Sequence, residues 1–146
     1  MSTTRIISDP GRVFAFVRSH VPMSATVGMQ GLGLERDGEL VAGVLYEGFN
    51  GQNAWIHVAA EPSKRWMTRE YLMACFRYPF MQLGVKRLSG YVDASNTDAR
   101  RLDEHLGFRE EARLTGAAED GGDVILYVMW RQDCRFLAEK NHDHPK

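Results

Sequence analysis

Four side chains suited to binding an anion stand close together in the middle of the sequence: Lys64, Arg65, Thr68 and Arg69. They surround the start of a predicted helix, where free backbone N–H groups and the helix dipole favour negative charge. The threonine can also donate its hydroxyl. This spacing predicts a phosphate site, and the alternative is that Lys64 and Arg65 are solvated loop charges.

The elements around this loop would position it. Residues 54–60 have the composition of a strand, and residues from about 68 to 83 place apolar side chains at helical spacing. Pro79 should loosen the last turn of that helix, because proline lacks a backbone donor. Residues 87–94 form the next predicted strand. The order strand, helix, strand predicts a βαβ unit with two parallel strands.

Antiparallel strands are predicted before this unit. The pair Asp37-Gly38 is a two-residue hairpin signal between strands of about 30–36 and 40–49. A helix is expected to begin after Asp9, which has the side chain of an N-cap.

The second half continues the alternation. A helix of about 96–106 ends at Gly107, and strands of about 108–115 and 123–131 follow. The predicted fold is α/β (α+β), with a mixed and mostly antiparallel central sheet. One parallel βαβ pair lies within the sheet, and helices cover both faces.

The predicted helix after strand 87–94 has the sequence Asn96-Thr-Asp-Ala-Arg-Arg-Leu-Asp-Glu-His-Leu-Gly-Phe108. It resembles the C-terminal motif of the GNAT superfamily of acyl-CoA-dependent N-acetyltransferases, in which an Asn leads a helix ending in Leu-Gly-Phe. The upstream segment from Glu70 to Leu88 is similar to the branch that acetylates ribosomal-protein N-termini. Small proteins of this kind are also common in phages and prophages. The resemblance covers roughly residues 30–131.

This resemblance implies transfer of an acetyl group from acetyl-CoA to a primary amine by direct attack. The acceptor would be a protein N-terminus, which the resemblance favours slightly, a lysine or a small amine. The two parallel strands would separate, and an extended pantetheine would hydrogen-bond between them like an added strand. The residues implied in holding the cofactor, besides the four anion-binding candidates, are Val58, Ala59, Ala60, Trp66, Met67 and Asn96.

Titratable residues near this strand supply candidates for proton transfer. His57 and Glu61 are candidate bases, with a structural histidine and an ordinary loop acid as the alternatives. Ser95 is a candidate acid, although N-capping of the following helix explains it as well. Asp103 and Ala99 stand where many members of the superfamily have a tyrosine acid or a serine, so neither usual proton donor is present.

The loop before the first βαβ helix departs from the superfamily pattern. Residues 63–68 contain no glycine, whereas the pyrophosphate loop of the superfamily has the pattern Gln/Arg-x-x-Gly-x-Gly/Ala. Trp66 would either crowd the loop or turn outward over the ligand. An alternative function is therefore a GNAT-fold binding or interaction module that has lost efficient catalysis. The glycine-rich stretch from Gly28 to Gly33 precedes a strand, so it is not predicted to bind phosphate.

The amino-acid composition limits the classes of function that the protein can have. The chain has 146 residues, 44% hydrophobic and 25% charged, and 18 Lys plus Arg against 19 Asp plus Glu give a net charge of -1. This predicts one domain over 1–140 with a flexible tail at 141–146. The charge balance makes a nucleic-acid partner unlikely, and no apolar stretch approaches the ~20 residues of a membrane span.

The remaining expectations concern location, metals and assembly. Two cysteines without metal or redox spacing, Cys75 and Cys134, suit a reducing cytoplasm. His142 and His144 near the C-terminus do not make a metal site without further ligands. A homodimer is expected to form through exposed strand edges or an aromatic surface at Trp66 or Trp130.

Overall fold

A computed structural model of the chain describes residues 3–137. The strands are β1 (Thr4–Ile7), β2 (Gln30–Arg36), β3 (Glu39–Glu47), β4 (Asn53–Ala60), β5 (Arg87–Asp93), β6 (Arg109–Leu114) and β7 (Val124–Trp130). The α-helices are α1 (Pro10–Arg18), α2 (Arg69–Arg77) and α3 (Thr97–Leu106), and the expected tail at 141–146 lies outside the described residues.

All seven strands form one sheet in the order β1-β2-β3-β4-β5-β7-β6. Every neighbouring pair is antiparallel except β4 and β5, which are parallel. The predicted mixed sheet is confirmed. The strand β1 was missing from the prediction, since it has only four residues and its side chains are largely exposed, so no apolar alternation marks it.

Helix α1 packs very closely on the sheet. Asp9 caps it by accepting a hydrogen bond from the backbone N–H of Arg12, and Val13 on its inner face is fully buried. A Cβ on Gly31 would lie 2.9 Å from the Cβ of Val13, and one on Gly33 would lie 3.2 Å from its Cγ2. These two glycines therefore allow the close approach of the helix to the sheet.

The long helix predicted over 68–83 is two segments in the structure. Helix α2 ends at Arg77, and a π-helical turn continues over Tyr78–Leu83. The loosening predicted at Pro79 is thus confirmed, because a residue without an N–H cannot extend the α-helical ladder. Gly84 ends the turn with a φ of 76°.

The helices lie on opposite faces of the sheet. Leu45 and Ala59 pack with residues of α1, and we call this side the α1 face. Ile56 and Leu106 belong to the larger core cluster on the other side, the α3 face, which α2 also covers. Because side chains alternate along a strand, His57 lies on the α1 face with Leu45 and Ala59.

Candidate functional site

The two parallel strands separate after a short pairing. They are joined at Asn53–Arg87, Ala54–Leu88 and Trp55–Ser89, and no further pair follows. A cleft of about 470 Å³ opens where the strands diverge. Its walls include residues 56–58 of β4 and 90–93 of β5.

The cleft passes between the faces of the sheet. Residues 20–22, which follow α1, line it on the α1 face, and Asn96, Ala99 and Asp103 line it from α3. The opening in the sheet therefore connects two different surfaces.

His57 holds a carboxylate partner at this opening. Its Nε2 lies 2.5 Å from Oε2 of Glu47 on β3, and the second oxygen of that carboxylate accepts a hydrogen bond of 2.8 Å from the hydroxyl of Thr26. The side chains of His57 and Glu47 are only 12% and 18% exposed. The ring of Tyr91 stands edge-on to His57 at 5.7 Å between centroids. His57 and Tyr91 both line the cleft.

The sequence analysis missed Glu47. A usable signal was present, because Glu47 lies in the otherwise apolar run of the strand predicted at 40–49, and the Asn50-Gly51 pair that follows is of a type that forms tight turns and so fixes the register of the next strand. In the structure Glu47 is the register partner of Trp55, two residues from His57 on the same face. Side chains at that diagonal spacing are within reach of each other.

Glu61, the second candidate base, lies outside the lining of the cleft. Its carboxylate is 3.4 Å from Nε2 of His20 and is 43% exposed. Since His20 itself lines the cleft, Glu61 is connected to the cleft through His20.

Asn96, and not Ser95, caps α3. The helix begins at Thr97, and the side-chain oxygen of Asn96 caps it by accepting from the backbone N–H of Ala99 at 3.1 Å. The N-cap role expected for Ser95 is therefore wrong. The hydroxyl of Ser95 donates to Asp120 at 3.4 Å, and Ser95 is absent from the lining of the cleft, whereas Asn96 is part of it.

Asp103 brings an unusual carboxyl group to the cleft from α3. Burial raises its pKa to about 7, with a further contribution from the neighbouring charge of Glu104. Within residues 3–137 the Asp103 carboxyl has no hydrogen-bond or ion-pair partner. On the opposite side of the opening, burial and the Glu47 carboxylate raise the pKa of the Tyr91 phenol. The cleft thus contains an acid that is half-protonated near neutral pH.

The backbone candidates on β4 have one free edge. Val58, Ala59 and Ala60 pair with β3 on one side, while β5 has already diverged on the other. Val58 lines the cleft, and Ala59 and Ala60 do not. Hydrogen-bonding groups are left along this edge for an extended ligand.

The predicted anion loop lies beyond the cleft. Lys64, Arg65, Met67 and Arg69 are exposed. The hydroxyl oxygen of Thr68 caps α2 by accepting from the backbone N–H of Tyr71 at 3.2 Å.

Trp66 turns inward. It is half-buried, packs against the larger core cluster, and meets the ring of Tyr71 edge-on at 6.3 Å. The outward orientation considered for this side chain is therefore not the one adopted. The tryptophan instead anchors the loop to α2.

Two further observations concern membranes and metals. Within the described part of the chain, no helix is long and apolar enough to cross a bilayer. Residues 3–137 also contain no group of three or more His, Cys, Asp or Glu side chains placed to hold a metal ion. His142 and His144 lie outside the described residues.

Comparison with known proteins identifies the fold. No protein-family model and no curated protein match the chain. A mutant of the spermidine N-acetyltransferase SpeG from Vibrio cholerae superimposes with a TM-score of 0.72 at 16% identity, over 94% of this chain and 96% of that one. A second set of SpeG mutant forms gives 0.70 at 17% identity, over 90% and 96%.

A probable acetyltransferase gives a TM-score of 0.59 at 19% identity over 73% of this chain, which spans 64% of that protein's length. These neighbours are GNAT-fold acetyltransferases, and the chain described here has the GNAT fold. At such identities the likeness shows the architecture.

Proposed function

We propose that the protein transfers an acetyl group from acetyl-CoA to a primary amine. The observation that carries the proposal is the two-sided cleft at the diverging parallel strands. An extended pantetheine would fit there, since β4 offers a free backbone edge and Gly90 brings no side chain into the gap. A Cβ on Gly90 would already lie 3.6 Å from the carbonyl oxygen of Ile56. Acetyl-CoA would approach from the α3 face and the amine from the α1 face.

Two side chains at the cleft, those of His57 and Asp103, carry out the proton transfers. Bound acetyl-CoA supplies an activated acyl carbon, to which the amine nitrogen bonds as the carbon–sulfur bond breaks. An alkyl ammonium has a pKa of ~10.4, so the acceptor must lose one proton before it attacks, and His57 takes that proton. The nitrogen releases its second proton to water once it has bonded to the acyl carbon. Asp103 returns a proton to the leaving thiolate. A carboxyl of pKa about 7 gives its proton readily to a thiolate whose conjugate acid has a pKa of ~8.5.

The acceptor is expected to be a cation before it reacts. Asp93 and Glu119 line the cleft, and Glu47 borders it through its contact with His57. The motif resemblance favours a protein N-terminus, as in the ribosomal-protein branch, while the SpeG neighbours act on spermidine. Peptides with free N-termini, lysine and spermidine are therefore the acceptors to compare.

The anion loop supports a second candidate function, a binding module without efficient catalysis. The inward Trp66 and the capping hydroxyl of Thr68 leave fewer groups for a pyrophosphate than the prediction assumed. Lys64, Arg65 and Arg69 remain available as cations. Binding of acetyl-CoA without amine-dependent release of thiol would identify the module.

The test combines binding with turnover. Thermal unfolding is measured with acetyl-CoA, CoA and ATP, and a ligand at a hundred times its Kd should stabilise the fold by ~2.7 kcal/mol. Thiol release is then followed with each of the three acceptors. A fold that acetyl-CoA does not stabilise at millimolar concentration would refute the proposal.

Assembly and location remain predictions. Of the two tryptophans expected at a dimer surface, Trp66 packs inward, while Trp130 is 40% exposed beneath the guanidinium of Arg87. One SpeG structure is dodecameric. We propose a homodimer that uses the Trp130 side of the sheet and a cytoplasmic location, to be tested by sedimentation and by fractionation.

A further inference from the structure

Glu47 is held from two sides, and this fixes how it meets His57. One carboxylate oxygen accepts from Thr26 at 2.8 Å, and the other is 2.5 Å from Nε2 of His57. The two strands that bear Glu47 and His57 are paired from Ala42–Ala60 to Glu47–Trp55. Neither side chain can shift without breaking a contact, so the pair is a preorganised unit.

This geometry determines which ring nitrogen of His57 carries the proton. A carboxylate has only acceptor sites, so Nε2 must donate to it and therefore bears a hydrogen. In neutral imidazole the lone pair then resides on Nδ1. No hydrogen bond within residues 3–137 engages Nδ1, and the ring lines the cleft.

We infer that Glu47 is a positioning residue that holds His57 in the Nε2–H tautomer, so that Nδ1 is the atom that accepts a proton in the cleft. The inference about the tautomer stands on the geometry alone. Its use in catalysis rests on the proposed function.

The proton balance follows from this assignment. Nδ1 accepts the proton that the acceptor ammonium must lose before attack, which gives an imidazolium with hydrogens on both nitrogens. The nitrogen releases its second proton to water once it has bonded to the acyl carbon, and water restores the proton that Asp103 gives to the thiolate. The carboxylate of Glu47 faces the new positive charge through the existing Nε2–H hydrogen bond. The imidazolium afterwards loses the Nδ1 proton to water, which restores the starting tautomer.

The direct test is the ¹⁵N spectrum of the His57 ring in the full chain, at a pH where the imidazole is neutral. We expect a protonated Nε2 and an unprotonated Nδ1 in the wild type. Glu47→Gln should produce a mixture of tautomers, since an amide can either donate or accept. The matched control is Glu39→Gln, which removes an exposed carboxylate from the same strand and should leave the His57 signals unchanged.

Activity provides the second readout. Glu47→Gln should lower kcat for acetyl transfer by about tenfold to a hundredfold, less than the loss of the base itself, with the KM for acetyl-CoA unchanged. An Nδ1–H tautomer in the wild type would overturn the inference, and so would wild-type kcat in Glu47→Gln. Failure of the proposed function would be visible separately, as absent turnover in the wild type, while the ring spectrum would still decide the role of Glu47.

Discussion

Trp55 of β4 and Ser89 of β5 form the last register pair between the two parallel strands. The next residue of β4 contributes to the cleft wall, and so does the next residue of β5, Gly90. The position of this last pair decides where a ligand can pass through the sheet. The cleft of the candidate site thus exists because the backbones of β4 and β5 separate, and side chains from both faces of the sheet line it.

A side chain introduced at position 90 should block the gap between β4 and β5 without destabilising the fold. A Cβ there would make only ordinary contacts, the nearest at 3.6 Å, so Gly90→Ala is expected to keep the melting temperature. Gly90→Val should fill the space between the strands. Its stabilisation by acetyl-CoA, about 2.7 kcal/mol at a hundred times Kd in the wild type, is expected to disappear in thermal unfolding. Unchanged stabilisation in Gly90→Val would contradict ligand binding in this gap.

Gly31→Ala, unlike Gly90→Ala, should destabilise the fold. Its Cβ would come within 2.9 Å of the Cβ of Val13, which cannot rotate away, so α1 has to move. We expect a loss of about 1–3 kcal/mol in the free energy of unfolding, measured by urea titration. The control is Gly11→Ala on α1, where the nearest atom is 3.9 Å away and alanine should stabilise by about 0.5–1 kcal/mol. Equal effects of the two substitutions would refute this account of the packing.

Removing the imidazole should abolish most turnover. His57→Ala is expected to lower kcat by about 10²- to 10⁴-fold, the range for losing a general base, while acetyl-CoA still stabilises the protein. The rate of thiol release with a saturating amine measures this. His105→Ala changes an exposed histidine near the end of α3 and should retain activity. A fully active His57→Ala variant would exclude His57 as the base.

Asp103 should make stability fall as the pH rises. Its pKa is about 7 in the folded state against an ordinary value of 3.8, so the folded state binds more protons than the unfolded state between these values. The resulting penalty grows from about pH 4 to pH 7 and is constant above that, at roughly 4 kcal/mol.

Asp103→Asn isolates this contribution. The variant should match the wild type near pH 4 and exceed it in the free energy of unfolding at pH 8. Denaturant titrations of both proteins across this interval give the difference directly. A difference independent of pH would contradict the raised pKa of Asp103.

Charge reversal in the anion loop should weaken cofactor binding. Lys64→Glu combined with Arg65→Glu is expected to raise the Kd for CoA by about tenfold, since each exposed ion pair contributes up to about 1 kcal/mol. Isothermal titration with CoA measures this. Lys86→Glu, an exposed lysine just before β5, is the control. An equal loss in the control would show that net charge, rather than the loop, matters.

The elements were predictable because local signals mark them. Asp9 caps α1, Gly107 ends α3 with a φ of 113°, and Pro79 falls where the α-helix gives way to a π-helical turn. Each of these depends on the backbone of one or two residues. The strand β1 escaped notice because it is held by its partner β2 and by the ion pair of Arg5 with Glu35.

The site was harder to predict because it depends on contacts between distant residues. His57 was found as a titratable residue on a strand, but its partner Glu47 is identified only once the register of β3 and β4 is known. The inward orientation of Trp66 likewise depends on Tyr71 and the core beneath it. Asn96 caps α3 because the helix begins at Thr97; if it began one residue earlier, Ser95 would be the cap. Helix propensities do not fix the first residue of a helix to that precision.

Only three residue pairs join β4 to β5, whereas six join β3 to β4 and seven join β5 to β7. The sheet thus consists of two groups of strands, β1–β4 and β5–β7, joined by a short stretch of pairing. A bound extended molecule that hydrogen-bonds along β4 extends this stretch and makes the hydrogen bonding across the sheet nearly continuous. Occupancy and rigidity are consequently coupled. The N–H groups of Glu61 and Ala59 turn toward β3, so those of Val58 and Ala60 turn toward the gap, and slow amide exchange at these two residues becomes a direct signal that the gap is filled.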